Sequence, residues 1–259
     1  LTISGTIDMM GSSCVIEKID NSANVEIIGI NNAVIKNMSS DKTMVRSNEN
    51  GAHEDANYNV STLFSEVKSG SSLTIKDIQF DNINVKSLDG GNVGLLVAAV
   101  NGHVAVENVT IGNSTVIGHR NVGAVIGIVA GGYAPNMSLS LKNVTLNSVD
   151  VKTVGGRSAM VVGYIGTNNV TLDSISVKNT SLSIYKNEAS NQVIENADSN
   201  TDFGGHTFKG AQKKITSIKT FGKNETATYA YRENAMFLFD REGGFVFCDS
   251  LAEAQALLK

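Results

Sequence analysis

The chain reads as an all-β protein: a right-handed parallel β-helix, a solenoid, closed by a C-terminal β-meander and a short helix. Three observations predict it. A segment recurs without gaps at spacings of 31, 35 and 31 residues; each copy alternates as a strand does; and corner-forming residues abound, with 25 glycines and 28 asparagines. Asparagine and glycine tolerate left-handed backbone angles, so their abundance implies many tight corners between short strands.

The recurring segments are Leu73-Thr-Ile-Lys-Asp-Ile-Gln-Phe80, Val104-Ala-Val-Glu-Asn-Val-Thr-Ile111, Leu139-Ser-Leu-Lys-Asn-Val-Thr-Leu146 and Val170-Thr-Leu-Asp-Ser-Ile-Ser-Val177. Each has the two-residue period of a strand with one buried face. Two consecutive polar residues break that alternation at the same place in every copy. A straight strand would invert its pattern there, so the break is read as a corner. Its second residue runs Asp77, Asn108, Asn143, Ser174, a column whose side chains can hydrogen-bond between stacked copies. Ile75, Val106, Leu141 and Leu172 should then form one buried column, and Val85, Val116, Val151 and Leu182 another.

A second block precedes the later copies: Asn92-Val-Gly-Leu-Leu-Val97, Asn121-Val-Gly-Ala-Val-Ile126 and Arg157-Ser-Ala-Met-Val-Val162. The link after it varies, with Gly131-Gly-Tyr-Ala-Pro135 inserted once. Constant strands with variable links suit a solenoid, in which each coil meets only its neighbours. A β-propeller or leucine-rich horseshoe would show its own signature, and neither is present. An earlier coil is visible at Asn24-Val-Glu-Ile-Ile-Gly-Ile30.

Composition sets further bounds. An apolar fraction of 41% supplies a sizeable core, while a net charge of −4 argues against nucleic acid, which needs a basic stripe. The longest apolar stretch, Val93–Val100, is too short to span a bilayer. Leu1 in place of a leading methionine is read as a processed or trimmed boundary, a signal peptide having been removed. Cys14 and Cys248, near opposite ends, are expected to be buried free thiols, because a disulfide needs Cα atoms within about 7 Å.

The fragments Asn-Val-Gly-Leu-Leu-Val at 92–97 and Asn-Val-Gly-Ala-Val-Ile-Gly at 121–127 resemble GLUG repeats, over about residues 58–185. Those repeats occur in large bacterial surface proteins, some related to immunoglobulin A peptidases. The family commonly has a second glycine where Leu95, Ala124 and Met160 stand here. The resemblance implies a β-helical protein of the cell envelope and carries over no catalytic residue.

Beyond residue 200 the style changes, and seven of the nine phenylalanines lie there. Residues 1–200 are therefore read as the repeats and 201–259 as an aromatic-rich cap on the last coil. Phe237 to Phe247 reads as a hairpin, and Ser250-Leu-Ala-Glu253 as a capping box opening a helix with Leu251, Ala254 and Leu258 on one face. Such a cap would cover the unpaired edges of the last coil.

Candidate chemistry is sparse. Asp150 and Asp173 are carboxylates that a glycosidase-like site would need near each other. Lys152 and Arg157, with His119-Arg120, are the cations that could meet a uronate carboxylate. Tyr133, in the inserted loop 131–137, is the best single ligand contact. The bland reading of all of them is solvated corner and outer-face residues. His53-Glu54 opens like a zinc-protease helix, but Asn57 holds the second histidine's place, so no metal is expected, and no cofactor motif appears. Nine Asn-x-Ser/Thr triplets occur, and several fall on the repeat's own corners. The expected function is a secreted or cell-surface, non-enzymatic, adhesin-like scaffold of a bacterial surface protein. Its loops at 36–57, 131–137 and 186–210 would face a host or cell-envelope glycan or protein. The alternative is a carbohydrate-active β-helix enzyme, a polysaccharide lyase or glycoside hydrolase, built around Asp150, Lys152, Arg157 and Asp173.

Overall fold

The computed structural model describes residues 1–41, 59–87, 91–118, 121–129, 136–153, 156–187, 202–203, 206–207, 212–215, 229–230, 232, 234–241 and 244–259. Its strands recur in circuits. The first holds β1 (Thr2–Asp8) and β2 (Ile16–Ile19); the second β3 (Asn24–Asp41), β4 (Asn59–Val60) and β5 (Phe64–Val67). The third holds β6 (Ser72–Lys86), β7 (Asn92–Gly94) and β8 (Val97–Val100); the fourth β9 (His103–Gly118), β10 (Asn121–Gly123) and β11 (Ile126–Val129). The fifth holds β12 (Ser138–Thr153), β13 (Gly156–Ser158) and β14 (Val162–Ile165), and β15 (Val170–Lys178) with β16 (Ser181–Asn187) opens a sixth.

Equivalent strands of successive circuits pair in parallel, giving three sheets. One runs β1-β3-β6-β9-β12 and continues through β15 and β16. Another contains β4-β7-β10-β13, and the last β2-β5-β8-β11-β14. The protein is thus all-β, with parallel sheets built repeat upon repeat. The predicted register holds: Ile75 pairs with Val106, Val106 with Leu141, and Leu141 with Leu172. All four are buried, as are Val85, Val116, Val151 and Leu182.

The corners explain why the long strands bend without breaking the stack. Asp77, Asn108, Asn143 and Ser174 all have φ between 50° and 59°, the left-handed region that Asn and Asp enter at least cost. At that residue the alternation slips by one, so Ile75 and Ile78 both point inward. The side chains form a ladder: Asn108 Nδ2 donates to Asp77 Oδ1 at 2.8 Å, and Asn143 Nδ2 to Asn108 Oδ1 at 2.9 Å. Five residues later each strand turns again, at Asn82, Asn113, Ser148 and Asn179, also with positive φ. This second column extends back to Asn37, whose Oδ1 accepts from Asn82 Nδ2 at 2.8 Å and whose Nδ2 reaches Asp8 at 2.9 Å. The second circuit departs at its first corner. Its register jumps from Ile28↔Lys76 to Val34↔Gln79, six steps against three, so three extra residues bulge there.

The Asn-Val-Gly blocks answer a different demand. Between the second and third sheets the chain doubles back so closely that a Cβ on Gly123 would lie 2.4 Å from Ile126 O and 2.5 Å from Gly163 N. Gly94 is equally confined, 2.3 Å from Val97 O. In the fifth circuit Ala159 takes this place and packs with Ala235, Leu238 and Phe247.

The C-terminal segment continues the stack before ending it. β20 (Tyr229–Ala230) pairs parallel with β13, and β21 (Phe237–Arg241) parallel with β14. The predicted hairpin is present: β22 (Gly244–Cys248) runs antiparallel to β21. Between β16 and β20 in the chain, β17 (Asp202–Phe203) and β18 (His206–Thr207) pair with each other, and β19 (Gln212–Ile215) is antiparallel to β16. The helix α1 (Leu251–Leu257) is capped as expected, Glu253 N donating to Ser250 Oγ at 3.2 Å. Ala254 is buried, and Gln255 Nε2 donates to Leu172 O at 2.8 Å, tying α1 to β15.

Both cysteines are free, but only Cys248 is buried. Cys14 is exposed, against expectation, because it lies in the link from β1 to β2 and points to no core strand. No helix among the described residues is long and apolar enough to cross a membrane.

Two substitutions test this packing. Ser174→Asn should extend the first ladder to Asn143 and raise unfolding stability by about 0.5–1.5 kcal/mol, the net worth of one hydrogen bond. Gly123→Ala should cost about 1–3 kcal/mol through overpacking against backbone. Chemical denaturation reads both, and a neutral Gly123→Ala would refute the close approach.

Candidate functional site

The described members of the predicted set lie on three strands, β12, β13 and β15. Asp173 stands on β15 in an outer column whose register runs Lys76, Glu107, Lys142, Asp173, alternating in charge from one circuit to the next. Opposite charges directly across paired strands are mutually favourable. Its carboxylate also accepts from Ser174 Oγ at 3.0 Å. Asp150 and Lys152 lie past both corners, on the last stretch of β12. There Asp150 is exposed and accepts from Ser181 Oγ at 2.7 Å, while Lys152 is half-buried. Arg157 is in a different sheet, on β13. Tyr133, His119, Arg120, His53 and Glu54 lie outside the described residues, as do most of the loops 36–57, 131–137 and 186–210.

Arg157 instead belongs to a cluster at the junction of the fifth circuit with the C-terminal hairpin. Tyr164 projects outward from β14, and the Arg157 guanidinium carbon lies 4.3 Å from its ring centroid. The Tyr164 hydroxyl donates to the carboxylate of Asp240 on β21. Phe245 on β22 meets the Tyr164 ring edge-on, with centroids 6.5 Å apart at 74°. Beside them Arg241 donates through NH1 to Asp240 O at 2.9 Å and covers the Phe239 ring at 4.7 Å. One tyrosine thus ties β14 to β13 by a cation–π contact, to β22 by an aromatic edge and to β21 by a charge-assisted hydrogen bond.

Electrostatics here favour holding over reacting. Burial, followed by the hydrogen bond and charge of Asp240, pushes the Tyr164 hydroxyl up to about 12. Burial, then Glu253 and Asp249, pushes the Cys248 thiol up to about 11. A nucleophile needs the opposite displacement, so at neutral pH both groups stay protonated and unactivated. At the other end of the molecule Asp8 is held below its ordinary 3.8, chiefly by the Asn37 amide and then by the backbone N–H of Met10. It serves as an acceptor at the foot of the second ladder.

Three features escaped the sequence reading. The second corner column was available as a constant offset of five residues from the first. A further ladder joins Asn59, Asn92 and Asn121 in the second sheet and stops where Arg157 takes the next place. The structure also sets His103 Nδ1 at 2.9 Å from Ser138 Oγ, on adjacent strands. That pair has no carboxylate oriented on the histidine among the described residues. An open depression of about 270 Å³ lies between the Met10-Gly11 turn and Asn37, Asn82 and Asn84, with neutral lining. No group of three His, Cys, Asp or Glu side chains is placed to hold a metal among the described residues.

The Tyr164 contact predicts a definite alkaline response. Its hydroxyl ionises near 10.0 when free and about 12 in the folded chain. Its contribution is therefore whole below about pH 10 and is lost as pH rises from there towards 12. A spectrophotometric titration should show a tyrosinate step near pH 12 that Tyr164→Phe removes. A step for Tyr164 near pH 10 would refute the contact. Compared with models of protein families, with curated proteins and with solved structures, the chain has no significant match.

Proposed function

We propose that the circuits form a right-handed parallel β-helix that serves as a scaffold. In this reading it is a non-enzymatic, adhesin-like module of a bacterial surface protein, secreted or held at the cell surface. The observation that carries the proposal is how the outward polar side chains are used. The corner asparagines bond along the stack, and Asp150 and Asp173 each accept from a serine hydroxyl. A site built for catalysis converges polar groups on one reacting centre and shifts their proton affinities towards the task. Here Asp173, the pair Asp150 and Lys152, and Arg157 stand on separate stretches of the stack. The resemblance of the Asn-Val-Gly blocks to GLUG repeats supports the surface placement. The partner in this reading is a glycan or protein met by the loops between circuits, where solenoids concentrate binding residues.

Two measurements test the proposal. A chain in which residues 103–137 are duplicated should still unfold cooperatively, with a larger β signal in circular dichroism, because a stack accepts an added unit. Failure to fold would count against the solenoid. Incubation with a panel of neutral polysaccharides and polyuronates should release no new reducing ends. Steady release that Asp150→Asn or Asp173→Asn abolishes would establish the carbohydrate-active enzyme instead.

A further inference from the structure

The ladders have a consequence for covalent modification. Of the nine Asn-x-Ser/Thr triplets, the structure describes the asparagine of eight. In six the amide nitrogen is already committed. Asn37 donates to Asp8 at 2.9 Å, Asn108 to Asp77 at 2.8 Å, Asn113 to Asp81 at 2.7 Å and Asn143 to Asn108 at 2.9 Å. Asn169 donates to Met137 O at 2.9 Å and Asn179 to Asn147 at 3.3 Å. Five of these also sit in left-handed corners fixed between paired strands. Asn59 is half-buried in β4 and accepts from Asn92, and the hydroxyl-bearing Ser61 of its triplet is 0% exposed.

Asn136 differs in each respect. It is exposed in the turn that precedes β12, and its side chain makes no hydrogen bond among the described residues. The turn has a firm base: Met137 behind it is 1% exposed, and Ser138 N donates to Gly102 O at 3.0 Å. Ser138, the hydroxyl residue of the triplet, is half-buried with its Oγ against His103. We infer that Asn136 is the asparagine, among the described triplets, that accepts an N-linked sugar in the folded protein. The cellular setting rests on the surface placement proposed above; the chemistry does not. The Asn136 amide nitrogen attacks the anomeric carbon of a diphosphate-activated sugar. An N–C bond forms, the C–O bond to the diphosphate breaks and the diphosphate leaves with the electron pair. The amide gives up one proton, and nothing is oxidised or reduced.

The test uses a soluble asparagine glucosyltransferase with UDP-glucose, acting on the intact folded chain and, in parallel, on peptides from its tryptic digest. Sites are mapped by mass spectrometry. The peptides should accept hexose at several triplets, whereas in the folded chain Asn136 alone of the eight described triplets should accept it. Asn136→Gln and Ser138→Ala should each abolish that transfer, and Asn136→Gln should leave thermal unfolding unchanged. Transfer in the folded chain to any of the six committed asparagines, or none at Asn136, overturns the inference.

Discussion

Everything in this molecule depends on a residue that turns left-handed and still hydrogen-bonds to the copy of itself one circuit away. A long strand cannot wrap a core unless it bends, and bending at an L-residue costs about 1–2 kcal/mol in the left-handed region. Asparagine lowers that cost and recovers part of it through its carboxamide, which offers a donor on one side and an acceptor on the other. Asn108 therefore both makes the corner and joins Asp77 below to Asn143 above. The same device recurs five residues on, at Asn37 and Asn82, and in the second sheet Asn92 joins Asn59 to Asn121 by the ladder alone, without a left-handed backbone. The ladders have a direction, each amide nitrogen donating towards the earlier circuit. Carboxylates, which only accept, stand where a ladder begins: Asp77, Asp8 and Asp81.

With the corners fixed, the interior follows. Each bend lets two inward residues flank it, so Ile75 and Ile78 both reach the core, as do Val106 and Val109. Parallel sheets bury their residues continuously, and these form one connected apolar cluster from Ile3 to Ala254. Where the second and third sheets approach, only small residues stand: Gly94, Gly123, Gly127 and Gly163, with Ser61, Ser65, Ala98 and Ala159 in register with them. Beside Ala159 the chain brings in Leu238 and Phe247 from the C-terminal hairpin. The Tyr164–Asp240 hydrogen bond and the Arg157 guanidinium hold that hairpin from outside.

This economy bears on function. A side chain committed to the circuit above or below is not free to meet a substrate. The corner asparagines are committed in this way, and the charge column alternates in sign from circuit to circuit. The groups with clearly raised proton affinity, Tyr164 and Cys248, are stabilised in their neutral, unreactive forms.

The sequence by itself determined the repeat, the inward columns and the first corner, because each is a local pattern copied at fixed spacing. The column from Ile75 to Leu172 and the cap at Ser250 were legible for that reason. The second corner was equally written, at a constant five-residue offset, though its Ser148 and the neighbouring polar residues blur the alternation that announces the first. What only the tertiary structure decided is where unrelated segments meet. Tyr164 and Asp240 are 76 residues apart, a separation that none of the repeat spacings matches, so no periodicity links them. Nor does the sequence say that Tyr229–Ala230 and Phe237–Arg241 extend the second and third sheets rather than merely covering them. The exposure of Cys14, the dispersal of Asp150, Arg157 and Asp173, and the uncommitted amide of Asn136 were likewise settled by packing. Spacing along a chain fixes which residues share a column; only the packing of the sheets fixes which columns face one another.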